Sequence, residues 1–342
     1  MIAQEHNSSI ISNLKVGILF NLPVMPSRGE DVDYVAEMEV EDQVEAVEEA
    51  LENLDLEYQR FPLTNNIESL VKTLKAYNSD VVINLCEGAF GDSHLEMNVP
   101  SLLELLRIPY TGSPPLALGL CQDKGLAKDI LVANRIPTPK YKILRIFEDW
   151  KENICYPLFV KPLREDASIG ITKESFVKNN IELKKQVEYS TKCYSQPALV
   201  EKYIVGRELN ISLLGNEKPN VLPISEIFFE FTDEPKIRDY SSKWLKDSDE
   251  YKKTKSICPT KLKSSAKTRV EQISLEVFKA LYCRDYARVD IRLMSDKLFV
   301  LEINPNPDIS PDSSFALSLK IAGITFTEFI RKIITFALER KT

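Results

Sequence analysis

The stretch VLEINPNPDIS, residues 300–310, carries polar side chains on an apolar strand and then breaks into prolines. Successive residues of a strand point to opposite faces, so Glu302 and Asn304 share one face. A carboxylate beside a carboxamide supplies the oxygen donors that Mg²⁺ prefers. The alternative is the solvent-facing side of an edge strand, since charged side chains are mostly exposed. The stretch therefore suggests a metal site as a hypothesis, and the neighbouring segment has to support it.

The preceding segment, YARVDIRLM at 286–294, supports that hypothesis. It is expected to pair with residues 297–304 as a hairpin joined by a two-residue turn. Asp290 then lies opposite or diagonal to Glu302, and three oxygen-donor side chains meet on one face. Mg²⁺ usually takes one or two protein carboxylates and completes its shell with water and nucleotide phosphates. Arg288 shares the face of Asp290, so a plain cross-strand salt bridge is the alternative.

The composition is that of an ordinary globular protein. The chain has 342 residues, of which 44% are hydrophobic and 28% charged, enough for two or three domains. A net charge of -7 disfavours nucleic-acid binding. No signal peptide or membrane span is evident. Six scattered cysteines without a C-x-x-C pair, and only two histidines, indicate free thiols rather than disulfides or zinc. We therefore expect a cytoplasmic protein that binds neither nucleic acid nor membrane.

Apolar runs alternate with helical periodicity along the chain. Residues 15–20 and 80–88 predict buried strands, and residues 36–53 predict a surface helix between them. This alternation predicts a parallel sheet covered by helices, an α/β (α+β) fold class. The Pro/Gly/Ser cluster PYTGSPP indicates a domain boundary near residue 113. Residues 232–264 predict a long loop, and loops of that length are often functional lids.

Two lysines and one loop are candidate phosphate contacts. Lys161 follows an apolar strand, and Lys124 begins a helix predicted within the stretch 123–139 and ended by Ile136-Pro137. The loop LREDASIG at 163–170 offers backbone N–H groups. Each lysine taken alone is more often a surface residue. The chain contains no G-x-G-x-x-G and no G-x-x-x-x-G-K-[ST], which disfavours a Rossmann dinucleotide site and a P-loop.

The segment VEKYIVGREL, residues 200–209, is a candidate adenine and ribose site. It predicts two strands joined at Val205 and Gly206. Glu201 is suited to accept a hydrogen bond from an adenine amine, with the backbone of residues 202–204 at the ring edge and Glu208 at the ribose hydroxyls. A β-hairpin with ordinary outward-facing charges is the alternative, and the segment alone favours it.

These pieces follow one another in a recognisable order, D-K (123–124), V-K-P (160–162), E-K-Y-I (201–204), R-V-D (288–290) and L-E-I-N (301–304). The order resembles the ATP-grasp ligases and, within them, the D-alanine–D-alanine ligase family, from about residue 15 to the end. The resemblance implies an ATP-grasp fold of three domains, with ATP between the central and C-terminal ones. The implied domains are an N-terminal α/β domain at 1–113, a central domain at 114–200 and a catalytic domain at 201–342.

The resemblance also implies roles for single residues. The implied ATP-binding residues are Lys124, Lys161, Ser168, Glu201, Lys202, Tyr203, Ile204 and Glu208. Two Mg²⁺ ions, or Mn²⁺, would be held by Asp290, Glu302 and Asn304. Lys243 would contact the transferring phosphate, Arg288 and the backbone N–H of Asp308 the oxyanion, Ser313 the second substrate's carboxylate and Glu37 the first substrate's amino group.

The implied reaction joins amino acids or small peptides. One carboxylate attacks the γ-phosphate of ATP to give an acyl phosphate, and an amine then attacks that intermediate to leave an amide. Lid closure over residues 232–252 would exclude water, which otherwise hydrolyses an acyl phosphate. The resemblance also implies a homodimer formed through the N-terminal domain.

Several positions depart from the family's pattern, and they concentrate where the amino acids bind. They are Ala167 for the first serine of the phosphate loop, Trp244 for a tyrosine, Cys86-Glu87 for a His-Gly pair, Asp308 for a glycine and Asp312 for a histidine. We therefore expect a carboxylate–amine ligase with altered amino-acid subsites, for a pair other than two D-alanines. The alternatives are a genuine D-alanine–D-alanine ligase of cell-wall synthesis, a non-catalytic ATP-binding homologue, and an ATP-grasp kinase or carboxylase.

Overall fold

The computed structural model describes residues 11, 13–25, 28–151 and 153–340. Its strands are β1 Lys15–Asn21, β2 Glu57–Leu63, β3 Val81–Asn84, β4 Tyr141–Leu144, β5 Leu158–Pro162, β6 Phe176–Val177, β7 Ala198–Lys202, β8 Arg207–Leu214, β9 Asn220–Val221, β10 Ser225–Phe229, β11 Thr254–Ile257, β12 Tyr286–Met294 and β13 Lys297–Asn304. Its α-helices are α1 Tyr34–Glu37, α2 Glu39–Asn53, α3 Ile67–Tyr77, α4 Asn98–Leu106, α5 Pro115–Gln122, α6 Lys124–Ala133, α7 Asn180–Cys193, α8 Tyr240–Trp244, α9 Asp249–Lys252, α10 Ser264–Ala280, α11 Ser314–Ile321 and α12 Phe326–Glu339. No helix within the described residues is long and apolar enough to cross a bilayer.

The N-terminal sheet is parallel, in the order β2-β1-β3, as the alternation of strands and helices predicts. Its central strand β1 is buried along all but its first residue, because helices cover both faces of a parallel sheet. β3 ends at Asn84, so residues 85–88 form a loop rather than the predicted strand. This loop and the end of β1 open toward the cleft described below.

The central sheet has the order β4-β7-β5-β6, and its neighbouring strands are antiparallel. α7 packs on it, with Leu183 and Val187 of the helix contacting a core that includes Leu158, Val160 and Val200. Residues on β5 and β7 that face away from this helix, such as Lys161 and Glu201, point into the cleft.

The C-terminal sheet has the order β11-β10-β8-β12-β13, with β9 beside β8. The predicted hairpin is confirmed: β12 and β13 are antiparallel, and Asp290 lies directly opposite Glu302. A β-bulge follows, since Val300 pairs with Ile291 and Leu301 is the extra residue. A bulge bends the strand that contains it and changes the direction of its side chains. This bulge lies beside Asp290 and Glu302.

The C-terminal helices cover the N-terminal sheet. Phe315 of α11 and Phe329 of α12 share one core with Val16 and Ile18 of β1. Tyr286, the first residue of β12, packs edge-on against both phenylalanine rings at centroid distances of 5.9 and 5.6 Å. The chain therefore returns to its first sheet, and residues 305–313 are held between the first sheet and the last.

Two further expectations of local structure are wrong. β7 and β8 belong to different sheets and do not pair, so the hairpin alternative for residues 200–209 fails. The chain crosses between sheets at Gly206, where a side-chain Cβ would overlap the backbone oxygen of Leu293. Residues 232–264 are not a structureless loop, because they contain α8, α9 and β11. Asp239 and Ser248 cap these two short helices through side-chain oxygens.

Candidate active site

A single cleft brings the three sheets together among the described residues. It is lined by Lys124 and the loop after β5, by Glu201–Ile204, by the acidic end of the β12–β13 hairpin, and by α8 with the segment before it. Most of the predicted site residues therefore converge on one place. The exceptions are Glu37, whose side chain lies outside the described part of the structure, and Ser313.

Asp290 is the best-connected carboxylate of the cleft. Arg288 donates to both of its oxygens, from Nε at 2.8 Å and from Nη2 at 2.9 Å. The amides of Asn210 and Asn304 donate to it at 2.7 and 3.2 Å. The salt bridge that sequence reasoning raised as an alternative is therefore present, within β12 rather than across strands. It coexists with the oxygen-donor group instead of replacing it.

Glu302 lies opposite Asp290 and is held by Lys161, whose Nζ is 2.8 Å from its carboxylate. Burial works to raise the pKa of Glu302, but the Lys161 and Lys124 ammonium groups outweigh it and hold the pKa well below its usual range. Glu302 is therefore ionised at neutral pH, which is the state that a cation requires.

These residues fit a Mg²⁺ ion. Asn304 donates its amide N–H to Asp290, which leaves its carbonyl oxygen for another partner. Asn210 likewise donates to Asp290, and its Oδ1 is buried without a hydrogen-bond partner among the described residues. A buried oxygen of this kind, beside two carboxylates, has the chemistry of a hard-cation ligand. Sequence reasoning missed Asn210, although a lone asparagine in the apolar run LNISLL of β8 was a signal.

Glu201, predicted at the adenine, makes a buried ion pair in the structure. Its carboxylate lies 2.8 Å from Lys128 Nζ and 3.8 Å from Lys161 Nζ. Lys128 was also missed; it follows Lys124 by four residues and so shares its face of α6. Burial lowers the pKa of Lys128, and the Glu201 carboxylate counters this effect. The pair fixes Glu201 at the wall of the cleft.

Glu208, predicted at the ribose, is paired with Arg292 at 2.7 Å on neighbouring strands. Arg292 also donates to the carbonyl of Gly206 at 2.9 Å, and its guanidinium lies 5.7 Å from the Tyr203 ring centroid. The crossing between the central and C-terminal sheets is thus held by the residues predicted to bind the nucleoside.

The phosphate loop and the lid segment are joined by two hydrogen bonds. Ser168 Oγ donates to the carbonyl of Arg238 at 2.9 Å, and Trp244 Nε1 donates to the carbonyl of Ala167 at 2.8 Å. Lys124 Nζ holds the other end of the loop, at 2.5 Å from the Glu165 carbonyl and 2.7 Å from Asp166. The indole N–H of Trp244 therefore links the lid to the phosphate loop through the backbone oxygen of Ala167. The family resemblance implies a tyrosine at 244 and a serine at 167.

One end of the cleft contains Glu39, Lys243 and Asp308. We call it the amino-acid end, because the family resemblance implies that the amino acids bind there. Lys243 Nζ lies 4.2 Å from the centroid of the Trp244 ring, and burial lowers its pKa. Burial, with the added repulsion of Asp308 and Glu87, raises the pKa of Glu39 to about 9 despite attraction from Lys243. Glu39 is therefore protonated at neutral pH.

Ser313 does not line the cleft. Its Oγ accepts from the backbone N–H of Ala316 at 3.1 Å, so it caps the start of α11. Asp308, five residues earlier, does line the cleft, and its carboxylate also accepts from the Ser310 N–H at 2.7 Å. The predicted contact of Ser313 with a substrate carboxylate stays a prediction.

Comparisons with known proteins agree with this geometry. The family model for the D-ala D-ala ligase C-terminus matches residues 120–335. A D-alanine–D-alanine ligase of Carboxydothermus hydrogenoformans is 32% identical over 282 residues, covering 79% of this chain and 85% of that protein. The uncharacterized protein y4sG of Sinorhizobium fredii is 38% identical over 267 residues, covering 78% of this chain and 76% of that protein. The crystal structure of a D-alanine–D-alanine ligase from Bacillus anthracis complexed with ATP superposes with a TM-score of 0.75 at 26% identity, covering 96% and 97% of the two chains.

The fold and the cleft define an ATP-dependent ligase with the ATP-grasp architecture, an enzyme that forms C–N bonds. Its family follows from the match over residues 120–335 and from the identity to the Carboxydothermus enzyme. The chain belongs to the D-alanine–D-alanine ligase family. The fold class and the family resemblance seen in the sequence are thereby confirmed.

Proposed function

We propose that the enzyme joins the carboxylate of one amino acid or small peptide to the amine of another through an acyl phosphate, and that the pair is not two D-alanines. The observation that supports the chemistry is the meeting of Arg288, Asp290 and Glu302 with Lys161 and Lys124 in one cleft. A protein that only bound nucleotide would have no need of an arginine beside the metal carboxylates. This argues against the non-catalytic alternative.

Different residues of the cleft are assigned to the phosphates, the metal and the oxyanion. Lys124 and Lys161 lie at the phosphate loop and beside Glu302, where positive charge stabilises the phosphates of ATP. Asp290, Glu302 and Asn304 would hold Mg²⁺, which when bound offsets the negative charge of the phosphates. Arg288, held by Asp290, is directed at the region where an oxyanion develops when the amine attacks.

The altered substrate preference rests on the Glu39–Asp308 pair. A carboxyl whose pKa is raised by burial and by neighbouring carboxylates ionises when a cationic group binds beside it. The residue Glu87 lies close enough to add to the same negative field. This end of the cleft is therefore suited to a substrate that presents an ammonium group with additional positive charge, such as a basic amino acid or an amine-bearing peptide.

The test is ATP-dependent phosphate release with Mg²⁺, screened over D- and L-amino acids singly and in pairs, with mass spectrometry of the products. We expect ADP, phosphate and an amide from a pair that includes a basic or otherwise cationic member. D-alanyl-D-alanine formed from D-alanine alone at an ordinary rate would overturn the substrate proposal. Tight ATP binding without turnover of any pair would overturn the ligase proposal.

A genuine D-alanine–D-alanine ligase is the second candidate, and the 32% identity to the Carboxydothermus enzyme supports it. The domain boundaries at residues 113 and 200, the homodimer and the cytoplasmic location belong to the same proposal and stay predictions. A sedimentation measurement tests the dimer without reference to the substrates.

A further inference from the structure

Arg238 differs from the paired cations that line the cleft. Lys161, Arg288 and Arg292 each pair with a carboxylate within 2.9 Å. Arg238 forms no ion pair with any described carboxylate, and its Nε is buried without a hydrogen-bond partner among the residues that the structure describes. A buried guanidinium donor left without an acceptor costs free energy unless a ligand supplies one.

The charges around Arg238 show what kind of ligand would do so. Burial and the neighbouring Arg288 lower its pKa, while Glu208, Asp290 and Asp308 act on it only as more distant carboxylates. Lys243 lies beside it and likewise forms no ion pair with the described residues. Arg238 and Lys243, two cations without an ion pair beside the paired Arg288, favour an anion bound between them.

The position of Arg238 distinguishes a phosphate from a substrate carboxylate. Its charged neighbours include Glu208 and Asp290, which line the nucleotide and metal side of the cleft. Asp308, at the amino-acid end, also attracts Arg238, so the guanidinium lies within the field of both ends of the cleft. In addition, the backbone carbonyl of Arg238 is tied to Ser168 of the phosphate loop at 2.9 Å. The hydrogen bond from Ser168 therefore places the Arg238 backbone against the phosphate loop, which favours a phosphate over a substrate carboxylate as its ligand.

We propose that Arg238 is a further catalytic residue, which binds the phosphoryl group as it passes from ATP to the substrate carboxylate. In this step an oxygen of the carboxylate forms a bond to the γ-phosphorus. The bond from that phosphorus to the bridging oxygen of the β-phosphate breaks, and ADP leaves with the electron pair. Arg238 donates to the equatorial oxygens of the transferring group, where a guanidinium fork matches the phosphate geometry. This inference rests on the proposed function, since it assigns Arg238 to the same reaction.

The experiment compares Arg238→Gln and Arg238→Lys with Lys246→Gln, which removes one positive charge from an exposed position on the same lid segment. Binding of ADP, and of ADP with aluminium fluoride as a mimic of the transferring phosphoryl group, is measured by calorimetry with Mg²⁺ and no amino acid. We expect wild type and Lys246→Gln to bind ADP more tightly when fluoroaluminate is added. Arg238→Gln should keep its ADP affinity within about threefold and lose that tightening.

Turnover then gives a second readout. With an active substrate pair, Arg238→Gln should lower kcat by about 100-fold or more, with little change in the KM of either substrate. Arg238→Lys keeps the charge without the fork and should recover only part of the loss. It also provides the measurement if the glutamine variant fails to fold.

Two results would overturn the assignment. One is full retention of the fluoroaluminate effect in Arg238→Gln. The other is an unchanged kcat with a raised KM for one substrate, which would make Arg238 a binding residue for a substrate carboxylate. Because the binding arm needs no amino acid, failure to find any active substrate pair would count against the proposed function and leave the test of Arg238 standing.

Discussion

The two halves of the cleft are built in different ways. On the nucleotide side, charges are carried by strands and are already paired, as in Lys161–Glu302 at 2.8 Å and Arg292–Glu208 at 2.7 Å. At the amino-acid end, titratable groups come from α2, the lid segment and the loop after β13, and two acidic groups, Glu39 and Asp308, lie together. The first half is preorganised for a nucleotide common to the family. The second is organised around a ligand that the protein itself does not supply.

The comparison predicts that breaking a nucleotide-side pair costs stability as well as activity. Lys161→Met leaves Glu302 without its cation, and we expect a loss of about 2 to 3 kcal/mol in the free energy of unfolding. The estimate lies at the low end for a buried pair because the Glu302 side chain is 27% exposed. ATP affinity should fall in the same variant. Urea unfolding followed by fluorescence and circular dichroism measures the first effect, and calorimetry the second.

The matched control is Lys192→Met, which breaks the exposed pair with Glu188 on α7, where both side chains are largely in solvent. It should change stability by less than about 0.5 kcal/mol. Equal losses in the two variants would contradict the view that the nucleotide side is preorganised by buried pairs.

At the amino-acid end, the charge of Asp308 is predicted to set substrate preference. Asp308→Asn keeps the shape and removes the charge, and Asp308→Gly restores the residue that the family resemblance implies. A hydrogen bond to a charged group contributes about 1.5 to 3 kcal/mol, so kcat/KM for a cationic substrate should fall by about 10- to 100-fold in both variants. Activity with D-alanine should rise in Asp308→Gly. Steady-state kinetics on both substrates measures the ratio, and an unchanged ratio would remove Asp308 from the specificity site.

The link between lid and phosphate loop predicts a smaller effect. Trp244→Phe keeps an aromatic ring beside Lys243 and removes the N–H that donates to Ala167. Loss of one such hydrogen bond costs about 1 kcal/mol, so kcat should fall by about fivefold. Trp150→Phe is the control, because the buried Trp150 Nε1 has no partner among the described residues. The Trp150→Phe background also leaves Trp244 as the only tryptophan, whose fluorescence then reports lid opening directly.

The last prediction concerns pH dependence. The pKa of Glu39 is raised to about 9 in the folded chain, so the folded state binds the proton more tightly than the unfolded state. Stability should therefore decline as pH rises from about 5 to 9. Glu39→Gln removes this contribution and should flatten the slope of Tm against pH by about 2 °C per pH unit at most. Parallel slopes for the two proteins would show that Glu39 ionises normally.

The sequence predicted those features that depend on local periodicity. Alternation along two strands was enough to place Asp290, Glu302 and Asn304 together, and the register of the hairpin confirms it. The fold class was predicted by the same kind of argument. The roles of the individual residues in catalysis stay predictions.

The sequence could not show contacts that depend on how distant segments pack. Lys128 became a partner of Glu201 only because α6 lies against the central sheet. In the sequence, Trp244 lacks the hydroxyl of the tyrosine that the family resemblance implies. In the structure, its indole N–H donates to a backbone oxygen 77 residues away, and any residue at 167 would provide that oxygen. The unpaired state of Arg238 is a property of its surroundings, which no motif encodes.

One competition experiment tests the central claim most directly. Wild-type enzyme is given ATP, Mg²⁺ and an equimolar mixture of D-alanine with cationic and neutral amino acids, and the amides are quantified by mass spectrometry, which reports relative kcat/KM in a single reaction. Our account predicts that an amide containing a cationic residue exceeds D-alanyl-D-alanine. A product pool dominated by D-alanyl-D-alanine would show that the altered subsites still serve the reaction for which the family is named.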